Sequence, residues 1–201
     1  MKDILFAIEE LEIDEDLLVL AGDNLLDFSL SGFISFFAEK QSTCIMRHYE
    51  PSLAALQRTG VATIDTSDKV LLMEEKPKEP KSNWAVPPFY VYKREDLPLI
   101  RKAIDSGCNT DAPGSFIAWL CSHTPVYAYP MPGKRWDIGN LQSYEQVKQE
   151  FDGSRLLKQY EYTRKYLPMH VATLKIPCQG AGTPGQSRCC DKKQEHVQHL
   201  A

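Results

Sequence analysis

The chain is poor in the features that mark membrane, exported and nucleic-acid-binding proteins. No apolar run approaches the roughly 20 residues that a membrane-spanning helix needs. The N-terminus has acidic residues close behind it and no small-residue cleavage site, unlike a signal peptide. Lys and Arg number 23 against 27 Asp and Glu, so the net charge is −4 and no basic stripe stands out. We therefore expect a cytoplasmic protein that binds neither nucleic acid nor membrane.

The rest of the composition is that of an ordinary globular protein. With 43% hydrophobic and 25% charged residues, 201 residues can form one domain with a proper core and a tail. The sequence has no internal repeat. Among the six cysteines, Cys44, Cys108 and Cys121 lie singly in apolar or loop surroundings. In a cytosolic protein such thiols are expected to be reduced.

Apolar periodicity predicts alternating helices and strands. An i, i+4, i+7 stripe predicts a helix over 2–11, and the continuous apolar run at 17–21 predicts a strand buried on both faces. The polar turn at 65–68 joins strands at 60–64 and 69–73 into a hairpin. Further helices are predicted at 29–37, 51–56, 96–106, 114–121, 141–151 and 154–166, and further strands at 43–46, 84–92 and 126–129. This pattern predicts an α/β fold, with a mixed, mostly parallel sheet and helices on both faces.

The character of the sequence changes after Pro168. We place one domain at 1–168 and a low-complexity tail at 169–201, which is expected to be disordered. Two sharper interpretations compete. The sequence at 180–185 spells G-x-G-x-x-G after a strand-like run, but the helix, strand and acidic residue of a dinucleotide site do not follow. The second interpretation is a zinc site, although the spacings between its candidate ligands are unusual. These ligands are Cys178, Cys189, Cys190, His196 and His199.

Two aspartates stand where chemistry is expected in such a fold. Asp23 follows the strand at 17–21, and ligands gather at the carboxyl ends of strands in open α/β sheets. A carboxylate there can hold Mg²⁺, which prefers oxygen ligands and phosphate partners. Asp23 and Asn24 can equally form an Asx turn that ends the strand. Asp137 is likewise either a metal ligand or the N-cap of a turn.

Glu75 and Lys76 close the strand of the predicted hairpin. A glutamate beside a lysine can hold a sugar hydroxyl and a phosphate, so the pair is a candidate for sugar-phosphate binding. It can also be a surface ion pair of little energetic value. Pro77 disfavours the helical region for the residue before it, which predicts an extended conformation for Lys76.

Taken together and in this order, these motifs resemble those of the sugar-1-phosphate nucleotidyltransferases. Residues 17–24 are similar to that family's metal-binding strand and turn, and residues 74–83 are similar to its sugar-phosphate signature. The match continues through the segments 59–62, 85–86, 89–92, 136–139 and 143–144. The resemblance covers about residues 1–150, and the ten-residue second motif makes it specific.

The resemblance implies a Rossmann-like nucleotide-diphospho-sugar transferase fold and a reaction. A sugar 1-phosphate, most commonly glucose 1-phosphate, attacks the α-phosphorus of a nucleoside triphosphate, and pyrophosphate leaves. Positioning and charge neutralisation carry most of such catalysis. By residue-to-residue correspondence, Asp23 and Asp137 would hold Mg²⁺ between the reacting phosphates, and Lys76 would pair with the sugar phosphate.

The same correspondence implies a sugar-binding set. Glu75 would accept hydrogen bonds from the sugar hydroxyls, and Tyr90 would line the sugar pocket. Gly60 would let the backbone approach the sugar closely, since glycine has no Cβ.

The sequence departs from the family pattern in three places. The family's opening G-x-G-T-R loop, which binds the triphosphate, has no counterpart here. We therefore expect an N-terminally truncated member, inactive alone, that pairs with a complementing N-terminal piece or forms a homo-oligomer. The alternatives are a non-catalytic sugar-phosphate-binding or regulatory module that associates with a full-length relative, and a defunct remnant. Pro87 and Pro88 replace a usual Thr-Gly pair, and Arg135 stands where many members carry tryptophan.

Overall fold

A computed structural model describes residues 1–151 and 171–174 of the chain. The α-helices of the described residues are Lys2–Glu10 (α1), Ser31–Lys40 (α2), Leu53–Leu56 (α3), Leu99–Asp105 (α4), Gly114–Leu120 (α5) and Leu141–Glu150 (α6). The strands are Leu17–Ala21 (β1), Asn24–Leu26 (β2), Cys44–Tyr49 (β3), Gly60–Ile64 (β4), Val70–Glu75 (β5), Trp84–Val86 (β6), Phe89–Tyr92 (β7), Tyr127–Pro130 (β8), Arg135–Asp137 (β9) and Val171–Leu174 (β10).

The main sheet is mixed. Its strand order is β10-β1-β7-β3-β6-β4-β5, and β8 pairs with β3. Only β1–β10 and β3–β8 are parallel among its described pairs, and the other five are antiparallel. The predicted α/β sheet is confirmed, but the expectation that parallel pairs dominate it is wrong. Parallel neighbours need long crossover connections, whereas the five residues between β4 and β5 permit only a hairpin.

Helices cover both faces of this sheet, as predicted. Side chains alternate along a strand, so Leu17 and Val19 of β1 join one core while Leu18 joins another. The first core also contains buried residues of α1, α4 and α5, such as Ile4 and Phe116, and the second is closed by α2. A strand with two buried faces explains the unbroken apolar run that identified β1 from the sequence.

Three local features differ from the predicted elements. The helix expected at 96–106 is a 3-10 turn at Arg94–Asp96 followed by α4, with Pro98 at the N-cap, because proline cannot continue a helical hydrogen-bond ladder. Strands β2 and β9 were not predicted. They form a separate two-stranded ribbon that pairs Asn24 with Asp137. The predicted helix at 154–166 lies outside the described residues.

The predicted tail contributes one strand to the sheet. Residues Val171–Leu174 pair in parallel with β1, with Leu174 opposite Ala21. The two sharper interpretations of the tail rest on residues that lie outside the described part, and the boundary at 168 stays a prediction. In the described part, Cys44, Cys108 and Cys121 are free thiols, and no helix there is both long and apolar enough to cross a bilayer.

Candidate functional site

The β2–β9 ribbon brings the two candidate metal ligands together. Asp23 immediately precedes β2, and Asp137 is the last residue of β9. Asn24 lies opposite Asp137, and the Ile138 amide donates to the Asp23 carbonyl oxygen at 2.7 Å. Two carboxylates separated by more than a hundred residues in sequence thus share one exposed edge beside the carboxyl end of β1.

A chain of polar contacts links these carboxylates through Arg135. The Asn24 side-chain amide donates to Asp23 Oδ1 at 2.7 Å, and Arg135 Nη1 donates to Asn24 Oδ1. The same nitrogen lies 3.4 Å from Asp137 Oδ2. The Arg135 side chain is 19% exposed and that of Asp137 is 58% exposed. The cation is therefore the better shielded member of the pair.

The two aspartates are ligands of the kind that Mg²⁺ takes from proteins. Mg²⁺ commonly takes one or two protein carboxylates, with phosphate oxygens and waters completing its shell. Asp23 and Asp137 are both exposed and supply such a pair. Across residues 1–151 and 171–174, no group of three or more His, Cys, Asp or Glu side chains could hold a metal alone. The helix that follows Asp137 is capped by another residue, since Asn140 accepts from the Ser143 amide at the start of α6.

Glu75 lies in a cradle formed by two glycines. It ends β5 and pairs with Gly60 of β4. A Cβ atom on Gly60 would come 3.3 Å from Glu75 Oε2, and one on Gly114, the first residue of α5, would overlap that oxygen. Both glycines are buried. The sequence pointed to Gly60 but not to Gly114, which lies 39 residues beyond Glu75 in the chain.

Burial raises the pKa of the Glu75 carboxyl, and the charge of Lys76 offsets this only in part. No described residue donates a hydrogen bond to this carboxylate. A half-buried acceptor without a protein donor costs desolvation energy and gains little in return. Such a carboxylate is suited to accept hydrogen bonds from a ligand.

Lys76 departs from the conformation expected before a proline. Its φ is +50°, in the left-handed region, so the prediction of an extended Lys76 is wrong. The Lys76 amide donates to the Thr59 carbonyl oxygen at 3.0 Å, which extends the β4–β5 pairing to the point where the chain turns away. The turn uses the left-handed region because Pro77 disfavours the right-handed helical one. The Lys76 side chain is exposed and forms no salt bridge with Glu75.

Tyr90 connects the two parts of the site. It is 3% exposed, and burial raises the pKa of its hydroxyl well above the ordinary value. The charge of Glu75 raises that pKa further, while the charge of Arg135 lowers it. Tyr90 also lines a cavity of about 70 Å³ together with Val19, Ala21 and Pro88. The charges of Glu75 and Arg135 therefore both act on the Tyr90 hydroxyl.

The raised pKa of Glu75 predicts a specific pH dependence of stability. A carboxyl whose pKa is higher in the folded state contributes most below its unfolded pKa, and this contribution is lost as pH rises through the folded value. We expect Glu75→Gln to raise the melting temperature relative to wild type at pH 7–8, and the difference to shrink toward pH 4. Melting curves of both proteins across this range measure it. A difference independent of pH would contradict the prediction.

The assembled groups define a class of ligand. Exposed and half-buried carboxylates, an exposed lysine and a shielded arginine lie near the ends of buried strands. Such a set can accept hydroxyl hydrogens, share a hard cation and pair with an anion. A polyhydroxylated phosphate ester has all the complementary groups.

Comparison with known proteins agrees with this class. The model of the nucleotidyl transferase family matches residues 3–153, and the chain belongs to this family. A glucose-1-phosphate adenylyltransferase of Fervidobacterium nodosum is 30% identical over 138 residues, which are 68% of this chain and 33% of that protein. The Bacillus licheniformis enzyme of the same name is 30% identical over 69% of this chain and 38% of its own length. The chain thus spans about a third of these relatives.

Solved structures share the fold. A UDP-glucose pyrophosphorylase complexed with UDP-glucose has a TM-score of 0.62 at 20% identity, covering 73% of this chain and 59% of that chain. A UTP-bound UGPase from Acinetobacter baumannii has a TM-score of 0.61 at 22% identity, covering 82% and 60% respectively. The predicted resemblance and fold class are confirmed, whereas the individual roles stay predictions for Asp23, Gly60, Glu75, Lys76, Tyr90 and Asp137.

Proposed function

We propose that this chain binds a sugar 1-phosphate, with glucose 1-phosphate the expected one, for nucleotidyl transfer from a nucleoside triphosphate with release of pyrophosphate. The observation that carries the proposal is the Glu75 carboxylate, half-buried between two glycines and without a described donor. Sugar hydroxyls would supply the missing donors. The names of the curated relatives support the same substrate.

Different residues would bind the sugar and the phosphate of the ligand. Glu75 accepts hydrogen bonds from the sugar, and the absence of a side chain at Gly60 leaves room for the Glu75 carboxylate, since a Cβ there would come 3.3 Å from Oε2. Lys76 follows directly on the same strand end, so its ammonium pairs with the phosphate beside the sugar. Tyr90 would line the sugar pocket.

Asp23 and Asp137 would hold Mg²⁺ through their exposed carboxylates, where the ion would neutralise charge on the reacting phosphates. The protein's own part would be to hold the two aspartates close together at the start and end of the β2–β9 ribbon. Such positioning supplies much of the rate enhancement in phosphoryl-type chemistry.

Isothermal titration of the chain with glucose 1-phosphate and Mg²⁺ tests the proposal. Because the Lys76 ammonium would pair with a phosphate, Lys76→Ala is expected to weaken binding by about 10- to 100-fold, the worth of a charge-assisted hydrogen bond. Lys78→Ala is the matched control, since Lys78 is an exposed lysine of the same loop. Absence of binding by the folded wild-type chain would refute the proposal.

A pyrophosphate-release assay with nucleoside triphosphates separates turnover from binding alone. The specific observation that favours a binding module is the contact between Arg135 and Asp137, which places a positive charge beside one of the two proposed metal ligands. Sugar-phosphate binding without pyrophosphate release would support this second candidate. A complementing piece or a homo-oligomer stays a prediction.

A further inference from the structure

Arg135 has a position in the site that the sequence resemblance does not explain. It replaces a tryptophan common in the family and is the first residue of β9. Its side chain is mostly buried, and its charge lowers the pKa of both Tyr90 and His48. Arg135 is therefore better shielded from solvent than an ordinary surface arginine.

The hydrogen bonds of Arg135 leave one edge of its guanidinium unused. An arginine carries five N–H donors in a rigid fork. Nη1 is directed to Asn24 Oδ1 and Asp137 Oδ2, whereas Nε and Nη2 have no hydrogen-bond partner among the described residues. Neither nitrogen is among the buried unpaired atoms, so both reach solvent. The Nε–Nη2 edge is the one that binds planar or tetrahedral anions in a bidentate manner.

The contact between Arg135 and Asp137 is not that of an ion pair that stabilises the fold. Asp137 is 58% exposed and its oxygen lies 3.4 Å from Nη1, so the pair is long and well solvated. Pairs of this kind contribute little to stability. The contacts with Asn24 and Asp137 have a more specific effect. Because both residues accept from Nη1, they orient the free Nε–Nη2 edge of Arg135. An oriented, shielded guanidinium loses little conformational freedom when it binds an anion.

We propose that Arg135 is an anion-binding residue of this site, whose Nε and Nη2 donate to two oxygens of a phosphate or pyrophosphate group. Asn24 and Asp137 act as positioning residues that hold the guanidinium. The identity of the phosphate as that of a sugar 1-phosphate rests on the proposed function. The existence of the anion site does not rest on the proposed function. It follows from the free Nε–Nη2 edge and from the shielding of the rest of the Arg135 side chain.

The experiment uses two probes, inorganic pyrophosphate and glucose 1-phosphate, titrated calorimetrically in the absence of divalent cations. Arg135→Gln is expected to weaken pyrophosphate binding by about 10- to 100-fold. Arg135→Lys is expected to recover part of this loss, because it restores the charge without the fork. Asp137→Asn is not expected to weaken binding. Asparagine keeps a side-chain oxygen that can accept from Nη1 and removes a competing negative charge, so anion binding is retained or strengthened.

The outcomes separate the two proposals. Pyrophosphate binding that depends on Arg135 supports the anion site even where glucose 1-phosphate does not bind, a result that would refute only the proposed function. Binding of both probes without dependence on Arg135 overturns the anion site alone. Parallel losses in Arg135→Gln and Asp137→Asn show a merely structural pair and also overturn it, as does failure of the wild-type chain to bind either anion. Arg135→Lys keeps the test valid where the glutamine variant does not fold.

Discussion

Gly114→Ala is expected to abolish most sugar-phosphate binding while leaving the protein folded. The new Cβ would overlap Glu75 Oε2 and would lie 3.1 Å from Cδ of the same residue and 3.2 Å from Met73 Cε. These atoms are the ends of flexible side chains, so the carboxylate moves and the backbone does not. Loss of the hydrogen bonds to a positioned carboxylate corresponds to about 10- to 100-fold weaker binding of glucose 1-phosphate. Titration calorimetry measures this change.

Stability provides the internal control for Gly114→Ala. Replacement of glycine by alanine at a compatible φ stabilises a protein by about 0.4–1 kcal/mol, chiefly because it restricts the unfolded chain, and this offsets the cost of moving the carboxylate. The melting temperature should therefore stay near that of wild type. In a Glu75→Ala background, Gly114→Ala should have no further effect on binding, because the group it displaces is gone. Additive losses in the double variant would show that residue 114 acts by another route.

Lys76→Gly is expected to make the protein more stable and to make binding weaker. A non-glycine residue in the left-handed region is strained, and glycine adopts the φ of +50° freely. Relief of this strain is worth about 1 kcal/mol in the free energy of unfolding. The same change removes the ammonium that would pair with phosphate. Urea unfolding and calorimetric titration give the two quantities.

Lys76→Ala separates the charge from the backbone conformation. Alanine loses the ammonium but keeps a Cβ, so it should weaken binding as glycine does without the gain in stability. If alanine and glycine stabilise the protein equally, the strain at Lys76 is not the cause. A strained backbone at a ligand-binding lysine would be consistent with function maintained at the expense of stability.

Elements with a strong local pattern could be predicted from the sequence. The unbroken apolar run of β1 and the polar turn between β4 and β5 each determine their element within a few residues. The direction of strand pairing could not be predicted in the same way. A strand buried on both faces has the same apolar run whether its neighbours are parallel or antiparallel. The mostly parallel sheet expected from this pattern was wrong for that reason.

The residues of the candidate site likewise differ in whether the local sequence could identify them. Asp23, Glu75 and Lys76 stand at strand ends within recognisable motifs, and the structure confirms the strands that they follow or end. Gly114 and Arg135 have no such local signal. Gly114 matters only because α5 packs against β5, and Arg135 is oriented by Asn24 across a ribbon of three-residue strands. Strands that short show no measurable periodicity, so the contacts they make are visible only in the folded chain.

The pairing of β10 with β1 has a consequence for synthesis on the ribosome. β1 is hydrogen-bonded to β7 on one side and to β10 on the other. At about 5–20 residues per second, the chain between residues 21 and 171 takes roughly 8–30 s to translate. Throughout this interval the outer edge of an apolar strand has no β10 to cover it, and neighbouring nascent chains can pair with it. The protein's yield in a cell then depends on translation speed and on chaperones that shield this edge, as well as on the stability of the finished fold.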